Sequence, residues 1–467
     1  MLADEVETEE RMSEREFDVI VIGAGPAGEV CAGRAADGGL RVAIVEQELV
    51  GGECSFYACM PSKALLRPGE LLAEIERVPG VRETVTGELD PKLVLRRRDE
   101  VIHDRDDSQM EPWLDDKGIE LLRAHAMLDG ERRVIVGTER LKAAKAVVIA
   151  TGTTAAVPPI EGLAEARPWT NREATTTSAV PERLLILGGG VVGVELAQAW
   201  SSLGASVTLV EALDRVLANE EPFASEEITA GLERAGVDVR TGVKAIAAAR
   251  GEGGQVSLTL EGGTELRGDE LLVAVGRRPR TAELGLESAG VEAGGYLEVD
   301  DRMRVGGTDW LYAIGDVNGR ALLTHMGKYQ ARICADTILG KDVAATAERA
   351  GSPRVVFTEP QLAAVGLTLD AAKERGVKAR AVDVPTAANA GASFHGRNAA
   401  GTSRLVFDTA REVVVGATFV GPEVAESLHA ATIAVAAEVP LDRLAHAVPT
   451  FPTRNEVWLK LLEELGV

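Results

Sequence analysis

The chain has 467 residues, 45% of them hydrophobic and 26% charged, and its formal net charge is −23. This length and balance predict a globular protein of two to four domains. The charge argues against nucleic acid or an anionic membrane as the main partner, because both would repel the protein, and no apolar run approaches the roughly 20 residues of a membrane span.

The chain begins with an acidic segment, residues 1–16, which lacks the apolar stretch of a secretory signal. We expect a disordered tail there. The whole sequence contains only four cysteines, too few for a secreted protein held together by disulfides. The predicted location is therefore cytoplasmic.

A glycine-rich turn follows the first predicted strand, Phe17–Ile22. Its sequence is GAGPAG, with Gly23, Gly25 and Gly28, and the next strand ends at Glu46. Glycines at this spacing let the backbone approach a pyrophosphate at a helix N-terminus, and the acid accepts a ribose hydroxyl. The pattern predicts a dinucleotide site, although a single turn of this kind also occurs without a ligand.

Two cysteines, Cys54 and Cys59, come shortly after that strand. The segment after Gly52 has no helix breaker until Pro61, so we expect the two thiols about one helical turn apart, close enough to bridge. A zinc site would need two more ligands, and no further pair has suitable spacing. A structural disulfide stays open, but a redox-active pair is favoured in a cytoplasmic protein.

The glycine turn is repeated after an apolar strand that ends at Thr151-Gly152. The second copy, GGGVVG, follows the strand at Leu184–Leu187, and Glu211 lies 23 residues after its first glycine, the same interval as in the first copy. The repeat indicates two dinucleotide sites. Further on, a strand ends at Gly315-Asp316, and short alternating runs from about Ser352 predict an α+β terminal domain.

These motifs together resemble the pyridine nucleotide–disulfide oxidoreductases, the family of dihydrolipoamide dehydrogenase, glutathione reductase and mercuric reductase. The resemblance covers the chain from Phe17 onward and includes GGEC-SFYA-CMPSK, YAIGDV and PTFPTRNE. It implies an α/β fold with two Rossmann-like domains. The FAD-binding domain would span 17–155 and 277–348, and the NAD(H)-binding domain 156–276. A C-terminal α+β domain, 349–467, would form a homodimer.

The resemblance also implies roles for single residues. Asp316 would accept hydrogen bonds from the FAD ribitol, Cys59 would be the thiolate facing the flavin, and Cys54 would be the interchange thiol facing the acceptor. Lys63 would lie by the flavin and pair with Glu195. Motifs and resemblance together give the catalytic set Cys54, Cys59, Lys63, Glu195, Phe451 and Glu456. They give the cofactor-binding set Gly23, Gly25, Pro26, Ala27, Gly28, Glu46, Gly52, Lys63, Thr151, Gly152, Gly188, Gly190, Val192, Gly193, Glu211, Gly276, Gly315, Asp316 and His325, with no metal site.

The choice of nicotinamide follows from Glu211. A carboxylate accepts a hydrogen bond from a free 2′-hydroxyl and repels a 2′-phosphate. The positions at which NADPH-using relatives carry arginines correspond to Ala212 and Ala218 here, with Arg215 close by. We therefore predict NADH.

The C-terminal motif departs from the family pattern. Disulfide-reducing members end in His-Pro-x-x-x-Glu, whereas this chain has FPTRNE, with Phe451 at the histidine position and Glu456 at the glutamate position. Phenylalanine cannot transfer a proton. Phe56 and Tyr57 also replace the usual residues between the cysteines. With Phe451 and Trp458 they would make the acceptor side aromatic, unless they have simply drifted within a packed core.

The predicted function is an NADH-dependent FAD oxidoreductase that passes electrons to a Cys54–Cys59 disulfide and on to a small-molecule acceptor. The alternative is an NADH:quinone or diaphorase-type reductase in which the disulfide is secondary. A third hypothesis is a flavin-bound component of a multienzyme assembly. Mercuric ion is a disfavoured acceptor, because no cysteine follows Cys334.

Overall fold

The computed structural model describes residues 14–467. They form two compact units. The first comprises the described chain up to Cys54, Arg105–Thr154 and Arg278–Ala345, and the second comprises Ser55–Asp104, Ala155–Arg277 and Thr346–Val467. Residues 55–104, which we assigned to the FAD-binding domain, thus belong to the second unit.

The strands are β1 Glu14–Ile22, β2 Val42–Glu46, β3 Glu120–Arg123, β4 Ala126–Leu128, β5 Arg133–Val136, β6 Glu139–Ile149, β7 Thr153–Ala155, β8 Arg183–Leu187, β9 Ser206–Val210, β10 Asp238–Arg240, β11 Ala245–Arg250, β12 Val256–Leu260, β13 Glu265–Gly268, β14 Glu270–Val273, β15 Arg277–Pro279, β16 Leu311–Ala313, β17 Arg354–Val356, β18 Gln361–Gly366, β19 Ala379–Pro385, β20 Thr402–Asp408 and β21 Val413–Gly421. The helices are α1 Pro26–Asp37, α2 Gly52–Phe56, α3 Cys59–Arg77, α4 Pro91–Val101, α5 Glu111–Asp116, α6 Asn171–Thr176, α7 Val191–Ser202, α8 Pro222–Arg234, α9 Thr324–Ile338, α10 Leu369–Glu374, α11 Leu428–Ala436, α12 Leu441–Leu444 and α13 Val457–Leu465.

The first unit is built on a sheet of order β3-β2-β1-β6-β5-β4, with β16 pairing with β6. Strands β3, β2, β1, β6 and β16 are parallel. Val19 and Val21 belong to one core cluster and Ile20 and Ile22 to another, so β1 is buried on both faces. This explains its continuous apolar run. Helix α1 packs against α9.

The first strand begins earlier than expected. Most of the predicted tail, residues 1–13, lies outside the described residues, but residues 14–16 are part of β1. They are held there because Glu14 pairs in register with Arg140 of β6 and because Arg15 forms ion pairs with Glu139, at 2.8 Å, and with Glu120. The expectation of disorder was wrong for these three residues.

The second unit contains a parallel sheet of order β10-β9-β8-β14 and an antiparallel sheet of order β11-β12-β13. Helix α3 packs against α7, which is why the segment after Cys54 belongs here. The C-terminal part is an antiparallel sheet of order β17-β18-β21-β20-β19. Its core includes Phe419 and Trp458, whose ring centroids lie 5.9 Å apart.

The cysteine segment is not one helix. Cys54 lies in α2, Cys59 begins α3, and Ala58 between them has φ −135° and ψ −95°, outside the helical region. Pro61 does not break α3, because it lies in the first turn, where a missing N–H removes no helical hydrogen bond. The expected single helical segment is therefore interrupted at Tyr57 and Ala58. Among residues 14–467, none of the helices is both long and apolar enough to cross a bilayer.

Candidate functional site

The first glycine turn joins β1 to α1. A Cβ on Gly28 would lie 1.9 Å from the carbonyl oxygen of Gly23, so only glycine allows this close packing. A Cβ on Gly25 would meet nothing within 4 Å, which leaves its backbone open to a ligand. Pro26 is the first residue of α1, where proline suits the helix start. A Cβ on Gly52 would lie 2.8 Å from the Cα of Gly25, so the glycine before the cysteines is packed against this turn.

The acid at the end of β2 is hydrogen-bonded to the same turn. The Glu46 carboxylate accepts the N–H groups of Ala24 and Glu48, each at 2.8 Å. A carboxylate has about four acceptor positions, so two remain for ribose hydroxyls. The turn has the open backbone, the helix N-terminus and the acid that an adenine dinucleotide requires, and it fits the adenosine half of FAD.

The second glycine turn repeats this geometry in the other unit. A Cβ on Gly193 would lie 1.9 Å from the carbonyl oxygen of Gly188, and a Cβ on Gly190 would meet nothing within 4 Å. The Glu211 carboxylate accepts the N–H groups of Gly189, at 2.5 Å, and of Leu213, at 2.8 Å. Val192 lies in the first turn of α7. This second turn fits NAD(H).

Gly189, the middle glycine of GGG, was not among the predicted cofactor-binding residues. A Cβ there would lie 3.1 Å from the Glu211 side chain, so the middle glycine of GGG also lets the acid approach the turn. Arg215, which left NADPH open, donates to the carbonyl oxygen of Ala218 at 2.9 Å and lies 4.0 Å from Asp214. The guanidinium thus already has partners on its own loop.

Around the end of β6, the first unit brings several predicted residues together. The Thr151 hydroxyl donates to the carbonyl oxygen of Arg280 at 2.8 Å, and the Gly152 carbonyl accepts the Arg280 N–H at 3.0 Å. Asp316 accepts a hydrogen bond from the Thr153 hydroxyl at 2.9 Å. Arg280 and Thr153 were not predicted. The available signal was their place in the sequence: Thr153 directly follows the TG motif, and Arg280 lies four residues after Gly276.

Strand β16 ends at Ala313, and Gly315, two residues further on, lies against α9 and α1. The N–H of Gly315 donates to the side chain of the fully buried Gln330 at 2.8 Å. A Cβ on Gly315 would lie 3.3 Å from the methyl group of Ala27 in α1. His325 is the second residue of α9. In the second unit, the Gly276 carbonyl accepts the N–H of Ala156 at 3.0 Å.

A partly buried acid, Glu29, lies in the first turn of α1. Burial raises the pKa of Glu29 to about 7, with the nearby Lys328 opposing the shift and Glu46 adding to it. Its Oε1 atom is buried and accepts no hydrogen bond from the described residues. Glu29 is therefore poised to change charge near neutral pH.

Cys54 is a partly exposed cysteine at the end of the first unit. The hydroxyl of Thr324, the first residue of α9, donates to its Sγ at 3.2 Å. In the same unit, Arg280 lies 3.8 Å from Glu53 and 3.7 Å from Glu48. Thr324 was not predicted, because 270 residues separate it from Cys54 and the sequence LLTHMG carries no chemical signature.

In the second unit, α6 holds the loop before Cys59. The Tyr57 carbonyl accepts hydrogen bonds from the Asn171 amide at 2.8 Å and from the Thr175 hydroxyl at 3.1 Å. The Arg172 guanidinium lies 4.4 Å from the centroid of the Tyr57 ring. These contacts turn the Tyr57 carbonyl away from the helix direction and account for the break between α2 and α3. Cys59 is partly exposed.

Lys63 and Glu195 are in direct contact. The Lys63 ammonium lies 2.7 Å from Glu195 Oε2, and Glu195 Oε1 accepts the N–H of Phe357 at 2.9 Å. The Glu195 side chain is only 4% exposed, whereas that of Lys63 is 35% exposed. The Lys63 ammonium also lies 4.9 Å from the centroid of the Phe357 ring. Phe357, which directly follows β17, was not among the predicted site residues.

The C-terminal motif is partly exposed. The Phe451 side chain is 72% exposed, and Glu456 accepts the N–H of Gly391 at 3.2 Å. His446 is exposed. Trp458 does not belong to an acceptor surface, because it is buried in the C-terminal core, and Phe56 is also buried.

Comparison with known proteins identifies the family. The family description "Pyridine nucleotide-disulphide oxidoreductase" matches residues 17–332, and the dimerisation domain of the same family matches residues 352–462. The chain belongs to this family. It is accordingly an FAD- and NAD(H)-dependent oxidoreductase with a mixed α/β fold and a C-terminal dimerisation domain, as the sequence predicted.

Proteins similar to this chain include a dihydrolipoyl dehydrogenase, a mercuric reductase and a flavoprotein disulfide reductase of known structure. Dihydrolipoyl dehydrogenase from Thermus scotoductus is 34% identical over 457 residues, which are 96% of this chain and 97% of the relative. Mercuric reductase from Acidithiobacillus ferrooxidans is 32% identical over 453 residues, 95% of this chain and 81% of the relative. The HOCl-induced flavoprotein disulfide reductase RclA from Escherichia coli has a similar structure, with a TM-score of 0.84, 28% identity and coverage of 96% and 99% of the two chains.

Proposed function

We propose that the protein is an NADH-dependent disulfide reductase that works without a C-terminal histidine base. In this proposal, Cys54 and Cys59 form the redox-active disulfide and Cys54 attacks the acceptor. The observation that carries the proposal is the Cys54 thiol, partly exposed in the unit that has the first glycine turn and in contact with Thr324. The similarity to dihydrolipoyl dehydrogenases over nearly the full chain also supports it.

Each part of the chain has a task in this reaction. Bound FAD would supply two-electron transfer between NADH and the disulfide. Glu46 and the open backbone at Gly25 would hold the adenosine half of FAD, and Asp316 would accept from its ribitol hydroxyls. Lys63 would lie by the flavin, and its ion pair with Glu195 would leave neither charge buried and unpaired.

The second glycine turn would bind NADH rather than NADPH. Glu211 keeps acceptor positions for a free 2′-hydroxyl and would repel a 2′-phosphate. Arg215, the one basic residue close to this acid in sequence, is occupied by the Ala218 carbonyl and Asp214. The match to the dimerisation domain supports a homodimer.

The acceptor step follows ordinary thiol–disulfide exchange. The Cys54 thiolate attacks one sulfur of the acceptor disulfide, and a mixed disulfide forms as the acceptor's S–S bond breaks. Cys59 then attacks Cys54 Sγ and releases the second acceptor sulfur. The dithiol loses two electrons, the acceptor gains two, and each leaving sulfur takes a proton from solvent, since Phe451 has none to give.

A quinone-type acceptor is the second candidate. The observation that favours it is Phe451, an apolar ring that is 72% exposed and cannot transfer a proton. A quinone accepts two electrons and two protons and needs no leaving thiol to be protonated. In that case the cysteine pair would be dispensable for turnover.

Two variants test the proposal. Cys54→Ser should abolish NADH-dependent reduction of lipoamide and make the long-wavelength absorbance band independent of NADH, because Cys59 then has no disulfide partner and stays reduced. The adjacent Ser55→Ala should retain both the lipoamide reduction and a band that forms only on anaerobic NADH titration. Lipoamide reduction that survives in Cys54→Ser would refute the proposal, and quinone reduction that persists undiminished would favour the second candidate.

The second variant restores the base. Phe451→His should raise lipoamide turnover by about 10²- to 10⁴-fold, the usual worth of a positioned general base. Phe394→His is a matched control, because Phe394 is a phenylalanine of similar exposure, 71%, in the same terminal domain. An equal effect of both substitutions, or of neither, would contradict the assignment of position 451.

A further inference from the structure

The hydroxyl of Thr324 contacts the thiol that a C-terminal base would serve in this family. Thr324 Oγ1 lies 3.2 Å from Cys54 Sγ and donates a hydrogen bond to it. A hydrogen bond to the charged form of an acid favours that form. A hydroxyl in this position therefore stabilises the Cys54 thiolate relative to the thiol.

The helix that carries Thr324 adds to this effect. Helix α9 has 15 residues and begins at Thr324, so its positive end lies at the Cys54 sulfur. The N-cap residue, Leu323, makes no side-chain capping hydrogen bond. The side chain of Leu323 therefore does not offset the positive end of the helix. Thiolates at helix N-termini are stabilised by that positive end.

The charged groups around Cys54 in this unit partly balance one another. Glu53 adjoins Cys54 in the sequence, and its carboxylate alone would disfavour a thiolate. Arg280 lies 3.8 Å from Glu53 and 3.7 Å from Glu48, so one guanidinium offsets both carboxylates. His325 follows Thr324 on α9 and would add positive charge only when protonated. The hydroxyl and the helix end are thus two contacts that favour the thiolate.

We propose that the Thr324 hydroxyl, at the N-terminus of α9, keeps Cys54 as a thiolate and so performs part of the task of the absent C-terminal imidazole. The inference rests on the proposed function, in which Cys54 is the attacking thiol. It makes Thr324 a catalytic residue, because its hydroxyl touches the reacting sulfur atom. No proton moves through Thr324; the proton of the Cys54 thiol is released to solvent before attack.

The test measures the reactivity of Cys54 rather than turnover. The FAD-loaded enzyme is reduced anaerobically, once with NADH and once with dithiothreitol, and the rate of Cys54 alkylation by iodoacetamide is followed by peptide mass spectrometry from pH 5 to pH 10. Thr324→Val, which keeps the shape and removes the hydroxyl, should move the pH midpoint upward by about one unit. Below both midpoints the rate should fall about tenfold.

Two controls separate this role from simple folding. Thr324→Ser keeps the hydroxyl and should retain the wild-type profile. Thr337→Val removes a hydroxyl that donates to the Ile333 carbonyl within the same helix, and it should also leave the midpoint unchanged. Identical profiles for Thr324→Val and wild type would overturn the inference.

The two reductants distinguish this failure from failure of the proposed function. If NADH leaves Cys54 unreactive while dithiothreitol exposes it, electrons do not reach the cysteine pair and the proposed function fails. The dithiothreitol profile still decides whether Thr324 stabilises the thiolate.

Discussion

The contact between Lys63 and Glu195 predicts unequal effects of removing its two partners. Glu195 is 4% exposed, and without Lys63 its charge would remain buried, with the Phe357 N–H as its hydrogen-bond donor. Lys63 is 35% exposed and reaches water if Glu195 is neutralised. Removing the partner of a buried charge costs about 3–5 kcal/mol, so Lys63→Met should destabilise the protein by roughly that amount.

Glu195→Gln should cost less, because the amide can still accept from Phe357 and the freed ammonium is hydrated. A charge-assisted hydrogen bond is worth about 1.5–3 kcal/mol, and the exposure of Lys63 reduces this to about 1–2 kcal/mol. The coupling energy in a double-mutant cycle should exceed this cost, because Glu195→Gln also removes the buried charge that Lys63→Met leaves unpaired; it is measured by urea unfolding of the FAD-loaded protein with Lys63→Met, Glu195→Gln and the double variant.

A second ion pair on the same helix provides the comparison. Arg67 and Glu74 lie 3.0 Å apart, with side chains 48% and 32% exposed, and their coupling should not exceed about 0.5 kcal/mol. The reasoning would be refuted if both pairs gave the same coupling, or if Glu195→Gln destabilised the protein more than Lys63→Met.

Two further predictions concern the cofactor turns and pH. Gly28→Ala should abolish FAD retention, whereas Gly193→Ala should retain FAD but lose reduction by NADH, because each Cβ would lie 1.9 Å from a carbonyl oxygen of its own turn. Flavin content and stopped-flow reduction measure the two effects, Gly87→Ala in open space is the control, and equal FAD loss in both variants would contradict the assignment. Glu29, whose pKa is raised by burial to about 7 from 4.5, stabilises the fold fully below about pH 4.5, and this contribution is lost as the pH rises through 7. Glu29→Gln should therefore gain about 3 kcal/mol over wild type at pH 8.5 and nothing at pH 4.5, seen as a flatter dependence of Tm on pH; an unchanged dependence would exclude this role.

The fold was predictable because its strongest signals are local. In each glycine turn the strand, the three glycines and the acid lie within about 30 residues, and backbone geometry permits little else. The break between α2 and α3 was not predictable, because Tyr57 and Ala58 are ordinary helix residues. Their conformation depends on hydrogen bonds from Asn171 and Thr175, more than 100 residues away.

The site was predictable only where a motif carried it. Lys63 and Glu195 were paired through the family resemblance, and the structure puts them in contact. Thr324 has no motif, and its effect depends on the three-dimensional approach of a helix end to a sulfur atom. The same holds for Glu29, whose burial and raised pKa come from its surroundings rather than from its neighbours in sequence.

The magnitudes limit how far Thr324 can replace a base. A positioned imidazole is worth about 10²- to 10⁴-fold in a proton-transfer step, whereas a shift of one unit in the ionisation of the attacking thiol is worth about tenfold at neutral pH. The rate therefore remains at least tenfold lower than with an imidazole. The loss concerns the leaving sulfur, because Phe451 cannot protonate it. Thiols of low pKa leave faster and need no such proton. Under the proposed function, the acceptor must therefore release a stable thiolate or, as a quinone, have no leaving thiol at all.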